Sequence, residues 1–145
     1  MKPICIALFA LCFCCAVAFE TRAQKPEYKG RPGSPFSEVV RVGNMLYLSG
    51  QLGVNASGAL VSGGVKAETK QLMDNIRGIL ERNGSGMEHV VKCTVMLLDI
   101  ADRPAMSEVY VSYFPKERVP ARSTFGTTGL ALGARVEIEC MATVK

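Results

Sequence analysis

Aromatic residues are scarce in this chain. Tryptophan is absent, and aromatic residues make up only 7% of the 145 residues. Proteins that hold single-stranded nucleic acid stack its bases on aromatic rings, so this composition disfavours that class. Runs of basic residues are also missing, since the 17 lysines and arginines are scattered and the net charge is only +4. We therefore expect no nucleic-acid partner.

Motifs for metal, phosphate and serine chemistry are missing as well. His89 is the single histidine, and Cys93 and Cys140 lack the spacing of paired ligands, so we predict no metal site. The glycine-rich turn at residues 84–86 follows a predicted helix instead of opening one, unlike a phosphate-binding loop. Ser49 lies in Leu-Ser-Gly-Gln, which is not a nucleophile elbow.

One long apolar run is present, and it lies at the N-terminus. Lys2 precedes the run from Ile4 to Phe19, and small residues at Ala16 and Ala18 resemble a cleavage site. We predict a signal peptide over residues 1–23, cut after Ala18 or Ala23, and hence an exported protein, periplasmic or secreted. An uncleaved anchor is the alternative, although the run is shorter than the ~20 residues of a typical membrane span. The mature chain, 24–145, would then be one domain without a stable membrane span.

Two cysteines, Cys93 and Cys140, remain after removal of this segment. In an exported protein they could form a disulfide. Both lie among valines and isoleucines in predicted strands. That setting favours two separate buried thiols, and the disulfide remains the alternative.

Periodicity predicts an α+β fold with the element order ββαβαββ. An extended, poorly ordered lead-in, 24–37, precedes a hairpin that turns at Gly43-Asn44. The helix stripes and alternating strands place the later elements as follows: helix 66–82, strand 88–98, a helix from Asp102 that ends at Pro115, and strands 121–127 and 134–144. Both helices are expected on one face of the sheet.

The strand 88–98 is apolar on both of its faces. If Val91, Cys93 and Val95 face the helices, then Val90, Thr94, Met96 and Leu98 form an apolar outer surface. A lone monomer would expose that surface, so we predict a homo-oligomer packed through the sheet.

An arginine and a glutamate are the best candidates for chemistry. Arg122 follows the turn before a predicted strand, and its planar fork suits a substrate carboxylate. Glu137 shares one face of the last strand with Glu139 and could orient or deprotonate a water. The residues alone leave open a simpler interpretation, in which these charges are a solvated face.

Four sequence blocks resemble the RidA/YjgF family of imine deaminases. They are Val42 to Gln51, Asp74-Asn75-Ile76, Val109-Tyr110 through Phe114, and Pro120-Ala121-Arg122-Ser123 together with Val136-Glu137-Ile138-Glu139. The resemblance implies a chorismate-mutase-like fold and a homotrimer with active sites in clefts between subunits. It implies hydrolysis of reactive enamine and imine acids, such as 2-aminoacrylate and 2-iminopropanoate, with no metal or organic cofactor.

The resemblance also implies roles for individual residues. Arg122 matches the arginine that clamps the substrate carboxylate, and Glu137 matches the glutamate that positions the attacking water. Ser49 and Gly50 match residues that line the pocket, and Thr124 replaces a residue, often cysteine, whose main chain contacts the ligand.

Two pocket positions depart from the family pattern. Phe36 stands where a tyrosine is usual, and Ser107 stands where an asparagine is common. These departures keep an alternative open, in which the trimer binds a small carboxylate without turning it over. An RNA-cleaving or chaperone-like activity, known for some relatives, has no supporting basic stripe here.

Overall fold

The computed structural model describes residues 24–145, so the predicted signal peptide lies outside the described residues. The strands are β1 (Glu27–Lys29), β2 (Val39–Val42), β3 (Met45–Leu48), β4 (Gln51–Leu52), β5 (Val90–Leu97), β6 (Ala121–Gly126) and β7 (Val136–Thr143). The helices are α1 (Gly64–Arg82) and α2 (Arg103–Val111). Within this part of the chain, no helix is both long enough and apolar enough to cross a membrane.

The strands form one mixed sheet in the order β1-β2-β3-β7-β5-β6, and β4 also pairs with β7. The β5–β6 pair is parallel because α2 carries the chain back between them, and the other described pairings are antiparallel. The predicted α+β class with both helices on one face is confirmed. The short strands β1 and β4 were missed.

The predicted hairpin is confirmed as β2 and β3. Val42 pairs with Met45 around the turn, and Gly43 has a φ of 60°, which a glycine adopts without steric cost. The prediction of a poorly ordered lead-in was wrong for residues 27–29. Their backbone pairs in register with β2, where Tyr28 lies opposite Val40.

The core lies between the sheet and the two helices. On α1 the predicted stripe is buried, with Leu72, Ile76 and Leu80 fully covered. On α2, Met106 and Tyr110 are fully buried. The predicted end of α2 at Pro115 was too late. The helix ends at Val111, and tighter turns with i→i+3 hydrogen bonds continue to residue 114.

A β-bulge corrects the predicted faces of β5. Cys93, Val95 and Leu97 face the core as alternation predicts. The pairing with β7 shifts by one residue between Val90 and Lys92, so Val90 turns inward and Val91 is 44% exposed. The outer face of the sheet nevertheless carries exposed apolar side chains, namely Tyr47, Phe125 and Met141.

The favoured prediction of two separate thiols was wrong. Cys93 and Cys140 form a disulfide between the neighbouring strands β5 and β7. They lie directly opposite each other in the antiparallel register, with Cα atoms 4.1 Å apart, and both side chains are buried. Sequence spacing did not reveal this pairing because it depends on a register set by the whole sheet.

Candidate functional site

Arg122 points from the edge strand β6 into the helix side of the sheet. In the parallel register it is paired with Cys93, a core residue, so both side chains leave the sheet on the same face. Its guanidinium carbon lies 4.9 Å from the centre of the Tyr110 ring on α2. Nη1 is buried without a hydrogen-bond partner, and among residues 24–145 no carboxylate forms an ion pair with this arginine. Within the described part of the chain, Arg122 is therefore a half-buried cation without a counter-ion.

A cavity of about 560 Å³ opens beside this guanidinium. Thr124 lines it together with Arg122, because the two side chains are two residues apart on one face of β6. The remaining wall includes the exposed side chains of Ile100, Val111 and Val119, and a second cation, Arg103, also lines the cavity. A half-buried cation attracts an anion more strongly than the same cation in open water.

Glu137 lies on the other face of the sheet. Its neighbours Val136 and Ile138 point into the core, so Glu137 points outward, opposite Met96 of β5 and Leu52 of β4. Partial burial, followed by the nearby charge of Glu139, raises the pKa of this carboxyl above its ordinary value. A carboxylate with a raised pKa is a better general base near neutral pH.

A bulge brings Gly50 against Glu137. Between the β3 and β4 pairings, residues 48–50 stand opposite residues 139–140 of β7, so this side has one residue more. A Cβ atom on Gly50 would overlap Oε1 of Glu137, whereas glycine leaves room for the carboxylate. The bulge therefore places Gly50 directly beside the Glu137 carboxylate.

Hydrogen bonds hold the bulge in place. Ser49 Oγ donates to the Ser37 carbonyl at 2.7 Å, which ties the bulge to the preceding segment. Asn75 on α1 donates its side-chain amide to the carbonyls of Leu52 and Val54, at 3.1 and 2.9 Å. Phe36 is next to Ser37 and is 63% exposed, so its ring is free to contact a neighbour.

The predicted site residues therefore fall into two groups. The Arg122 group comprises Arg122, Thr124 and Tyr110 on the helix face, and the Glu137 group comprises Ser49, Gly50 and Glu137 on the outer face. One chain does not bring the groups together, because the sheet lies between them. Ser107 is half-buried on α2, one turn before Tyr110, and does not line the Arg122 cavity.

A larger cavity, of about 780 Å³, lies along α1 and α2, and it differs from the Arg122 cavity in the pairing of its charges. The carboxylate of Asp74 in this cavity is already paired, since it accepts from Lys70 at 2.8 Å and from Arg77 at 2.7 Å. Tyr113 also donates to Asp74, and burial and this carboxylate raise the pKa of Tyr113 to about 12. Among residues 24–145, no three histidine, cysteine, aspartate or glutamate side chains cluster as metal ligands would.

Sequence reasoning missed two residues at these sites. Tyr110 lies on the predicted helix stripe and in a matching sequence block, but no role was predicted for it, because its distance to Arg122 depends on how α2 packs on the sheet. Asn75 was part of a matching block, without a role. An asparagine in the middle of an amphipathic helix was a usable signal, since such a residue seeks a backbone partner.

The chain belongs to the RidA/YjgF family. The sequence model of the family described as Endoribonuclease L-PSP matches residues 29–144. A human protein named 2-iminobutanoate/2-iminopropanoate deaminase is 44% identical over 114 residues, covering 77% of this chain and 82% of that protein. Arabidopsis thaliana Reactive Intermediate Deaminase A, chloroplastic, is 41% identical over 111 residues, 76% of this chain and 59% of its own length.

Solved structures agree with this assignment. The crystal structure of RidA from the Antarctic bacterium Psychrobacter sp. PAMC 21119 superposes with a TM-score of 0.73 at 33% identity and covers 85% of this chain and 99% of that one. A YjgF family member from Neisseria meningitidis gives 0.75 at 25% identity, with coverages of 86% and 98%. The resemblance stated from the sequence blocks is thereby confirmed at the level of family and fold.

Proposed function

We propose that this protein hydrolyses reactive 2-imino and enamine acids, of the 2-aminoacrylate and 2-iminopropanoate class, to 2-keto acids and ammonia. The observation that carries the proposal is the half-buried guanidinium of Arg122, which has no counter-ion among residues 24–145 and faces a cavity that a second cation, Arg103, also lines. Such a site suits a small carboxylate. The names of relatives 41% and 44% identical support the same chemistry.

In the proposed reaction, Arg122 binds the substrate carboxylate and Glu137 accepts a proton from a water molecule. The water oxygen forms a bond to the imine carbon, and the C=N π electrons move to nitrogen, giving a carbinolamine. The proton held by Glu137 passes to the nitrogen, which completes the neutral carbinolamine. Glu137 then accepts the proton of the carbinolamine hydroxyl as the C=O bond of the keto acid forms and the C–N bond breaks, and it passes this second proton to the nitrogen, which leaves as ammonia. An imine carbon is already electrophilic, so orientation and a base are sufficient and a cofactor is not required.

The proposed site forms between two copies of the chain. The two groups lie on opposite faces of one sheet, so the Arg122 group of one subunit must meet the Glu137 group of another. The exposed outer-face side chains Tyr47, Phe125 and Met141 supply an apolar surface for such packing. A closed ring of three is the assembly that we propose, following the resemblance.

We also propose that the protein works outside the cytoplasm. The N-terminal apolar run motivates this, and the Cys93–Cys140 disulfide supports it, because disulfides persist mainly in oxidising compartments. Comparison of the N-terminus of the mature protein with the start of the gene product would test cleavage after Ala18 or Ala23. An intact N-terminus on protein recovered from the cytoplasm would contradict export.

The departure from the family pattern at Phe36 motivates a second candidate function. Phe36 lacks the hydroxyl that the family pattern supplies, and a site without it could bind a small carboxylate without turnover. The deciding experiment is ammonia release from freshly generated 2-iminopropanoate, with Arg122→Ala as the control. Release by the wild type and its loss in the variant would support hydrolysis. A folded wild type that binds pyruvate and releases no ammonia would favour the binding function.

A further inference from the structure

The fully buried ring of Tyr110 presents its face to the Arg122 guanidinium. The guanidinium carbon is 4.9 Å from the ring centre, well within the distance at which a cation is attracted by an aromatic face. The ring is itself held, since Phe114 packs against it with centroids 4.9 Å apart at a tilt of 53°. The Tyr110 ring that contacts the guanidinium is therefore held in place by core packing.

This stacking accounts for an otherwise unexplained buried atom. Arg122 Nη1 is covered and has no hydrogen-bond partner within the described residues, a condition that is normally costly. An aromatic face is a weak acceptor for N–H groups and for positive charge. The ring takes the place of the missing partner without contributing a negative charge.

Two other arginines in the chain, unlike Arg122, are paired with carboxylates. Arg77 is held by Asp74 at 2.7 Å, and Arg135 donates two hydrogen bonds to Asp102 at 2.6 and 2.9 Å. A carboxylate orients an arginine well but also neutralises it and occupies the fork that a substrate needs. Tyr110 orients Arg122 and leaves its charge available.

We propose that Tyr110 is a positioning residue that holds Arg122 by its ring face and keeps the guanidinium uncompensated for the substrate carboxylate. The phenol itself stays neutral, because burial raises the pKa of Tyr110 to about 12, so no phenolate competes with the substrate. The Tyr110 hydroxyl is buried and also has no partner among residues 24–145, which indicates that the ring and not the hydroxyl matters. This inference rests on the proposed function of Arg122.

The test compares three variants in the full protein. Tyr110→Phe keeps the ring face, so its KM for 2-iminopropanoate should stay within about 2-fold of the wild type. Tyr110→Met fills similar space without a ring, and its KM should rise about 3- to 30-fold, the loss expected for a partly buried cation–π contact. Phe114→Met is the matched control, because it removes a ring from the same cluster but not the one beneath Arg122. It should lower thermal stability and raise KM clearly less than Tyr110→Met does, because the Tyr110 ring stays beside Arg122.

A second readout separates this inference from the proposed function. The NMR signal of the Arg122 Nε–H group, assigned by its loss in Arg122→Ala, should shift in Tyr110→Met and hold its position in Tyr110→Phe. Tyr110→Leu serves as a second variant without a ring if Tyr110→Met does not fold. If the wild type hydrolyses no imine, the proposed function fails while the NMR comparison still tests the stacking. An unchanged KM and signal in Tyr110→Met, or an equal KM rise in Phe114→Met, would overturn the positioning role.

Discussion

Removal of the Cys93–Cys140 disulfide should destabilise the protein strongly. The crosslink spans 47 residues and ties the central strands β5 and β7 together. In the chain-entropy treatment, closing a loop of that length in the unfolded state is worth about 4 kcal/mol. For a domain of this size, such a loss corresponds to a fall of about 10–20 °C in Tm. We expect the double variant Cys93→Ala/Cys140→Ala to show that fall.

The assay is thermal unfolding followed by circular dichroism, with three samples beside the double variant. Untreated wild type is the reference. Wild type incubated with reductant in the native state should keep its Tm, because both sulfurs are buried in the core. Wild type reduced while unfolded, alkylated and refolded should lose stability as the variant does. Alkylation of both thiols in unfolded protein that was never reduced would refute the disulfide, and a Tm change below about 3 °C would refute the magnitude.

Three further predictions concern the Glu137 group. Glu139→Gln removes a charge that raises the pKa of Glu137, so the acid limb of the pH–rate profile should move to lower pH, and an unmoved limb would contradict the coupling. Gly50→Ala should lower kcat about 10- to 100-fold with little loss of stability, because the added Cβ displaces the flexible end of the Glu137 side chain. Gly129→Ala is the matched control, because a Cβ at that position meets nothing within 4 Å. Glu137→Gln should raise Tm at neutral pH and not at pH 4, since a carboxyl whose pKa is raised in the folded state costs stability when it ionises. An equal effect at both pH values would contradict that sign.

Local patterns were enough to predict most of the fold. The Gly43-Asn44 turn, the α1 stripe and the alternation in β7 are each encoded within a few residues, and the structure shows each where it was predicted. Three of the errors have a common cause. The strand β1, the bulge at Val90 and the Cys93–Cys140 pairing all depend on partners far away in the chain, and periodicity carries no information about register.

For the candidate site, too, sequence patterns identified residues but not their positions in the sheet. Arg122 and Glu137 could be chosen from the sequence because an arginine fork and a strand carboxylate have recognisable chemistry, and the family blocks assign both. Their placement on opposite faces of one sheet required the pairing of β5 with both β6 and β7. The role of Tyr110 was not predicted, because an aromatic residue on a helix stripe gives the same sequence pattern whether its ring packs on leucine or on arginine.

The most direct test of the composite site is complementation between two inactive variants. Arg122→Ala and Glu137→Gln are co-expressed with different tags, and assemblies that carry both tags are isolated. In a ring of three, each site takes Arg122 from one subunit and Glu137 from its neighbour, so every assembly that carries both tags has about a third of its sites intact, whichever variant is in excess. We predict that the co-assembled sample hydrolyses 2-iminopropanoate at a comparable fraction of the wild-type rate, while each variant alone is inactive. Mixed assemblies that are folded but as inactive as either parent would contradict a site shared between subunits.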